Sequence, residues 1–177
     1  MTEARLTQAD GGWLEPESID GWYVLNAADA RWSHNEMGWY CNFEGAERLP
    51  EFGFNVNVLP PGKPMALYHH EPYQEGFLVL DGEALLIVEG KEHALKRWDY
   101  VHCPRDVPHV ILGAGGRGAT VLAVGSRVGP DGGAYPVDET AIRHGAGRTD
   151  EATSPRDAYA TFGPPAEQPY PGGLLPE

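Results

Sequence analysis

The sequence predicts an all-β domain of short antiparallel strands, and three observations support this fold class. Between residues 52 and 128, short apolar segments alternate with turn residues. No segment in this range shows the period of about 3.6 residues that marks an amphipathic helix. The chain has 177 residues, which is about the length of one domain. We therefore expect one antiparallel sandwich or barrel with extended segments on either side.

Composition divides the chain into three zones. Residues 1–50 mix aromatic residues with acids and glycines, and we expect an N-terminal arm that packs on the barrel or on a partner subunit. Residues 51–128 carry the strand pattern. Residues 129–177 are rich in Gly and Pro, so a disordered tail and an extended tail laid over the domain or a partner both fit. The extended tail is favoured by recurring aromatic residues, namely Tyr135, Tyr159, Phe162 and Tyr170.

The individual strands are predicted from alternation and turn residues. The segment FNVNVL alternates Phe54 and Val56 with asparagines, which indicates a strand that is buried on one face. The apolar segments GFLVL and EALLIVEG are joined by Asp81-Gly82, a strong signal for a β-hairpin. Further strands are predicted in LKRWDYVHCP, HVILGAG and TVLAVGSRVG.

Charge and composition exclude several classes of function. The chain has 26 acidic and 13 basic residues and a formal charge of −13, so nucleic acid and anionic membranes are poor partners. No segment has the length and apolarity of a membrane span or a secretory signal. Cys41 and Cys103 do not form the framework of a disulfide-rich secreted domain. We expect a soluble cytoplasmic protein of bacterial type.

A cluster of histidines and glutamates precedes the first long apolar segment of the central zone. Residues i and i+2 of a strand point to the same face. If His69 faces inward, it is joined by Glu71 and Glu75. If His70 faces inward, it is joined by Tyr68 and Glu75. The first register offers three side chains that readily bind a divalent cation and is favoured, but the sequence leaves both open.

A further ligand has to come from another strand. In the segment CPRDVPHV, Pro104 ends one strand and His109 begins the next, so His109 can point into a barrel. His102 shares a strand face with Tyr100, and the sequence does not show whether that face is interior. Cys103 is expected to be a small buried core residue.

The segment from Gly62 to Gly82 resembles the first of the two motifs of the cupin superfamily, whose members are small jelly-roll β-barrels. That motif runs glycine, a short spacer, His-x-His, three or four residues, Glu, six residues and glycine. Here His69-x-Glu71 is followed by three residues, Glu75, six residues and Gly82. Glu71 therefore stands where the second histidine is usual.

The segment from Trp98 to Gly113 resembles the second cupin motif, which runs glycine, five residues, Pro-x-Gly, two residues, His, three residues and Asn. Pro104 and His109 match this motif in register. Trp98, Asp106 and Gly113 stand where Gly, Gly and Asn are usual.

The resemblance implies a jelly-roll cupin β-barrel that binds one divalent metal ion through His69, Glu71, Glu75 and His109. Imidazole and carboxylate ligands together suit Zn, Fe or Mn, and the identity of the metal stays open. The family also implies a small-molecule ligand in the barrel and a homodimer. The activity would be that of a dioxygenase- or isomerase-type metalloenzyme, with a non-catalytic sensing or binding protein and a metal-free structural barrel as alternatives. The sequence identifies no catalytic residue.

Overall fold

The computed structural model describes residues 2–129 and 132–176. Within these ranges the chain forms ten strands and two short helices. Their bounds are β1 (Leu6–Gln8), β2 (Leu14–Pro16), β3 (Arg31–His34), β4 (Trp39–Asn42), β5 (Phe52–Leu59), β6 (Glu75–Val88), β7 (Lys91–Lys96), β8 (Tyr100–Cys103), β9 (His109–Ser126), α1 (Glu139–Arg143), α2 (Pro155–Ala158) and β10 (Ala166–Gln168).

One antiparallel sheet contains eight of these strands. Its order is β10-β3-β4-β5-β9-β6-β7, and β8 pairs with β6 beside this path. Strands β1 and β2 form a separate antiparallel pair. The predicted all-β fold class is confirmed, and β3, β4 and β10 extend the sheet beyond residues 51–128 on both sides. In the described part of the chain, no helix has the length and apolarity needed to cross a lipid bilayer.

The hairpin predicted at Asp81-Gly82 is wrong, because β6 continues through these residues. The strand pairs with β9 along nearly its whole length and shifts register on either side of the two residues. Gly82 has a φ of 77°, and a Cβ there would collide with the carbonyl oxygen of Gly118. The Asp-Gly pair therefore forms a β-bulge, which bends the long strand. The turn between β6 and β7 falls instead at Glu89-Gly90.

Strand β5 is covered on both faces, whereas the sequence predicted burial of one. On one face Val56 packs with the fully buried Trp32 and Cys41. On the other face Asn55 and the buried Asn57 line a cavity. The Asn57 side chain donates a hydrogen bond of 2.8 Å to the Asn55 Oδ1 atom, as a buried amide requires. This strand therefore forms a wall of the cavity.

The main hydrophobic core lies between β6, β8 and β9. Its buried members include Phe77, Val79, Ile111 and Val121. Cys103 belongs to the same cluster with an exposed fraction of 2%, as expected for a small core residue. The core fixes the two strands that begin with Glu75 and His109.

The three departures from the second cupin motif differ in their backbone. Trp98 and Asp106 have φ values of 75° and 63°, in the left-handed region that favours the usual glycine. At Gly113, where Asn is usual, a Cβ would collide with the carbonyl oxygens of Leu59 and Pro60.

The C-terminal segment lies over the sheet. Ala141 and Ala146 pack against Ile87 and Val110 of β6 and β9. Strand β10 pairs with β3 at the edge of the sheet. Asp138 caps helix α1, because its carboxylate accepts a hydrogen bond from the backbone N–H of Ala141. The segment thus has packing contacts and regular structure despite its Gly and Pro content.

Candidate functional site

Glu75 and His109 meet at one end of the domain although they are far apart along the sheet. His109 pairs in register with Val88, thirteen positions after Glu75 on β6. A straight strand would separate those positions by roughly 40 Å. The Glu75 Oε2 and His109 Nε2 atoms are nevertheless only 3.4 Å apart. The bends in β6 and β9 therefore create this part of the site.

His69 reaches the site from an irregular segment. Its backbone forms an antiparallel bridge with His109, with N–H to O distances of 2.8 and 3.2 Å. The two imidazole centroids are 5.4 Å apart. The His69 Nε2 atom lies 3.9 Å from the Glu71 Oε1 atom. The four predicted ligands therefore form two pairs, which are joined by the contact between the two histidines.

The neighbouring residues point elsewhere. His70 forms a backbone bridge to Ala134, and its Nδ1 atom lies 3.7 Å from the Asp106 carboxylate. Tyr68 is buried in the cluster that contains Ile87 and Val110. Of the two registers that the sequence left open, the structure has the one in which His69 faces His109.

Both site histidines have a defined tautomer. The Nδ1 atom of His69 is 2.7 Å from the Leu67 carbonyl oxygen, and that of His109 is 2.9 Å from the Val107 carbonyl oxygen. A carbonyl oxygen can only accept, so each Nδ1 carries the proton and each Nε2 keeps a lone pair. Histidines that bind metals usually have this arrangement. The Nε2 atom of His109 is also buried without a hydrogen-bond partner.

Burial keeps these imidazoles neutral. It lowers the pKa of His69 to about 4, and the nearby His109 adds to the effect. Burial also lowers the pKa of His109. A neutral imidazole is the form that binds a metal ion.

The two carboxylates hold protons more strongly than usual. Burial raises the pKa of Glu75 to about 7, and the charge of Glu71 raises it further in the same direction. Burial also raises the pKa of Glu71. Glu75 faces the Nε2 lone pair of His109, and near neutral pH this carboxyl group is only partly ionised. A cation placed beside it would displace the remaining proton.

The donor set fits a divalent metal ion in its chemistry. It offers two Nε2 lone pairs, held by backbone carbonyls, and two carboxylates that would neutralise the charge of the ion. In residues 2–129 and 132–176, no three His, Cys, Asp or Glu side chains are grouped as a complete metal site. The fit therefore rests on the types and tautomers of the donors.

A cavity of about 720 Å³ that is open to solvent adjoins these residues. Glu71 and Glu75 form part of its wall, while the two histidines are largely buried behind them. Phe77 and Tyr73 also line the cavity. A space of this size suits a small organic molecule.

Sequence reasoning missed Tyr135, which comes from the C-terminal segment. Its ring stacks on His69, with centroids 5.6 Å apart and planes at 23°. Tyr135 in turn packs edge-on against Tyr159, whose hydroxyl accepts a hydrogen bond of 2.9 Å from the Leu67 N–H. Burial raises the pKa of Tyr135, so its phenol stays neutral. The only sequence signal for Tyr135 was the recurrence of aromatic residues in the C-terminal segment. That recurrence indicated that the segment packs on a surface, but it did not show which residues form that surface.

His102 lies outside this group. It is exposed on β8 and pairs with Gly76. It does not line the cavity beside Glu75. The face of β8 that carries His102 is therefore the exposed face.

Comparisons with known proteins identify the central domain. The sequence model of the cupin domain matches residues 55–125, a range that contains all four predicted ligands. A search of curated proteins found no match. Together with the all-β fold, the family match shows that residues 55–125 form a cupin domain.

Two solved structures of Streptomyces proteins share the fold, and a third structure has a more limited similarity. The polyketide cyclase RemF from Streptomyces resistomycificus is 14% identical and has a TM-score of 0.53, with 62% of this chain and 82% of that chain covered. The Streptomyces nucleoside dehydratase Pac13 is 6% identical and has a TM-score of 0.50, with 60% and 82% covered. A provisionally assigned sugar phosphate isomerase from Acidithiobacillus ferrooxidans is 27% identical, has a TM-score of 0.43, and is matched over 54% of its length by 48% of this chain.

Proposed function

We propose that the protein is a metal-binding cupin that binds or acts on a small molecule in the cavity beside Glu75. The observation that supports this proposal is the pair of buried histidines whose Nδ1 atoms are held by backbone carbonyls. One divalent ion, Zn, Fe or Mn, would be held by His69, Glu71, Glu75 and His109.

The bound ion would supply Lewis-acid chemistry or a docking point for dioxygen. The chain's own residues would position the substrate and move protons. Glu71 is the more accessible carboxylate, with a side chain that is 28% exposed, and burial raises its pKa. With one carboxylate oxygen on the ion and the other free, it is suited to take a proton from a bound molecule and return it at another atom, as in an isomerisation. Phe77 and Tyr135 would exclude water from that step.

Metal content tests the proposal directly. The protein is purified without chelators and its bound metals are measured by mass spectrometry, followed by titration with Mn, Fe and Zn. We expect about one equivalent of a divalent ion per chain. Less than about half an equivalent, with no affinity for the added ions, contradicts the proposal and favours a metal-free barrel.

A second candidate function is capture of a small molecule without turnover. The cavity of about 720 Å³ favours it, because the space and its polar wall are present whatever the metal does. Incubation of the loaded protein with candidate ligands separates the two functions. Conversion of any bound ligand supports the enzyme, and tight binding with unchanged ligand supports the sensor.

We also propose that the protein forms a homodimer through the outer face of the sheet. Phe52, Tyr100 and Val128 are 42%, 64% and 68% exposed beside an apolar groove of about 740 Å³. Glu51 and Arg105 line the same groove, so two copies related by a two-fold axis could pair these opposite charges. Light scattering tests this, with Tyr100→Glu expected to give a monomer.

The proposed location is the cytoplasm. Cys41 and Cys103 are both buried and not joined in a disulfide, which agrees with a reducing compartment. Fractionation of cells that express the natural protein tests this location.

A further inference from the structure

The cavity is built by two parts of the chain with different charges. The part of its lining that comes from residues 55–125, the cupin domain, contains Glu71 and Glu75. Residues before and after that domain add Arg48, Arg127 and Tyr135. The cupin domain therefore supplies the acidic groups of the lining, and the flanking segments supply the basic groups.

Arg48 is the basic group that is available to a ligand. Arg127 is already engaged, because its guanidinium donates hydrogen bonds of 2.6 and 3.2 Å to Glu44 and one of 2.8 Å to the Leu49 carbonyl oxygen. Arg48 is exposed and has no ion-pair partner among the described residues. In a chain with a formal charge of −13, such a cation on a cavity wall makes a local site for an anion.

The charged groups of the lining also favour one direction for a bound molecule. In the metal-free protein an anionic group would be repelled by ionised Glu71 and Glu75 and attracted by Arg48. The lining of the same cavity includes four aromatic residues, Tyr40, Tyr73, Phe77 and Tyr135. Such rings favour a flat, ring-bearing molecule through stacking and apolar contact.

We infer that the ligand is a ring-bearing carboxylate whose anionic group is bound by Arg48, with its ring among the aromatic side chains and its uncharged end beside Glu71 and Glu75. This inference rests on the proposed function for the location of the site and adds the class of ligand. It makes Arg48, which lies outside the cupin domain, a residue that determines specificity.

The test uses the metal-free protein and two probes of similar size, one charged and one neutral. 4-Hydroxybenzoate and 4-hydroxybenzamide share a ring and a hydroxyl, but only the first is an anion. We expect the full-length protein to bind the benzoate about five- to twentyfold more tightly than the amide, as measured by NMR titration at about millimolar concentrations. Arg48→Ala should remove this preference while leaving binding of the amide nearly unchanged.

Arg117→Ala is the matched control. It changes the net charge by the same amount, and the Arg117 side chain is 81% exposed on β9 and does not line this cavity. The control should keep the preference for the benzoate. Both substitutions are at exposed positions, so both variants should remain folded, which circular dichroism verifies.

The inference is overturned if the wild-type protein binds both probes equally, if neither binds at about millimolar concentration, or if Arg48→Ala behaves like Arg117→Ala. Titration of the same samples with zinc, iron and manganese separates it from the proposed function. Binding of any of these metals without anion preference removes the inference alone. Anion preference without affinity for any of the three metals removes the metal proposal and leaves the ligand class in place.

Discussion

The two histidine–carboxylate pairs of the site have the same chemistry but are held differently. His109 and Glu75 begin β9 and β6, which are joined by a long ladder of backbone pairs that shifts register at the bulge. His69 and Glu71 lie in a segment held by isolated bridges, such as the one between His69 and His109. The closest side-chain atoms are 3.4 Å apart in the first pair and 3.9 Å in the second.

This difference indicates that the His109 and Glu75 pair is the more rigid one and that the His69 and Glu71 pair can adapt. The side chains of His109 and Glu75 are 3% and 18% exposed, whereas those of His69 and Glu71 are 14% and 28% exposed. A group on a packed strand is held more precisely than one on a loop. We expect the His109 and Glu75 pair to decide whether a metal binds, and the His69 and Glu71 pair to tune how it binds.

The largest expected effect is that of His109→Ala on metal affinity. Loss of a ligand on the rigid pair should weaken binding by more than about a hundredfold, and Glu71→Ala by about tenfold. Competition with a coloured chelator measures both. His102→Ala, on the exposed face of β8, serves as the control and should have no effect.

The His109 variant also tests whether the residue is structural. We expect the domain to remain folded, because the neighbouring core of Phe77 and Ile111 is retained. If circular dichroism shows an unfolded domain, the role of His109 is to support the fold. If Glu71→Ala has the larger effect on affinity, the contrast between the two pairs is wrong.

The next effect is on the pH dependence of metal binding. Glu75, with a pKa of about 7, must lose its proton to bind a cation, whereas His69, with a pKa of about 4, is already neutral. Affinity should therefore fall by about tenfold for each pH unit below 7. Calorimetry between about pH 5.5 and pH 8 measures this. A flat profile over that range would mean that Glu75 takes no part in binding.

A smaller effect is expected on the stability of the metal-free protein. The pKa of Glu75 is raised from 4.5 to about 7 by folding, so the folded state binds more protons than the unfolded state between those values. The free energy of unfolding therefore falls as pH rises through this window, and the full destabilisation by the buried, ionised carboxylate is reached above about pH 7. Glu75→Gln removes this charge and should stabilise the protein by on the order of 1–3 kcal/mol at about pH 8.

Urea denaturation measures that gain, and Glu71→Gln sharpens the comparison. Glu71 is more exposed, so its substitution should give a smaller gain. At about pH 4, where both carboxyl groups are protonated in either state, each variant should approach the wild type. Equal gains for the two variants would show that the pairs do not differ in burial cost.

The smallest expected effect is that of Tyr159→Phe, next to the segment that holds His69 and Glu71. Tyr159→Phe removes the hydrogen bond that the Leu67 N–H donates to the hydroxyl, next to the carbonyl that holds His69. We expect a loss of about 1 kcal/mol in stability and less than about a threefold change in metal affinity. Thermal unfolding and metal titration measure the two quantities. A large loss of affinity would show that the position of His69 depends on the C-terminal segment.

Much of the fold could be predicted because strand patterns are local. The alternation in FNVNVL and the apolar segments around Glu75 and His109 correspond to β5, β6 and β9. The same local reasoning failed at Asp81-Gly82, where the partner strand β9 runs past the two residues and makes a bulge more favourable than a turn. An Asp-Gly pair is compatible with both a hairpin turn and a β-bulge. The pairing with the neighbouring strand determines which of the two forms.

The site was predictable in part for a similar reason. The identities of the histidines and glutamates follow from the cupin spacing, but a strand's two-residue period cannot tell His69 from His70. The bridge between His69 and His109 makes that choice. Arg48 and Tyr135 could not be assigned to the cavity, because each is distant in sequence from the residues that it joins there.

The sequence by itself determined the all-β class and the donor types of the site, since both depend on residue identity and on short-range periodicity. Only the tertiary structure decided that Glu75 and His109 meet, because their contact depends on how two long strands bend at the bulges. It also decided that β5 is covered on both faces, since burial depends on what packs from elsewhere in the chain.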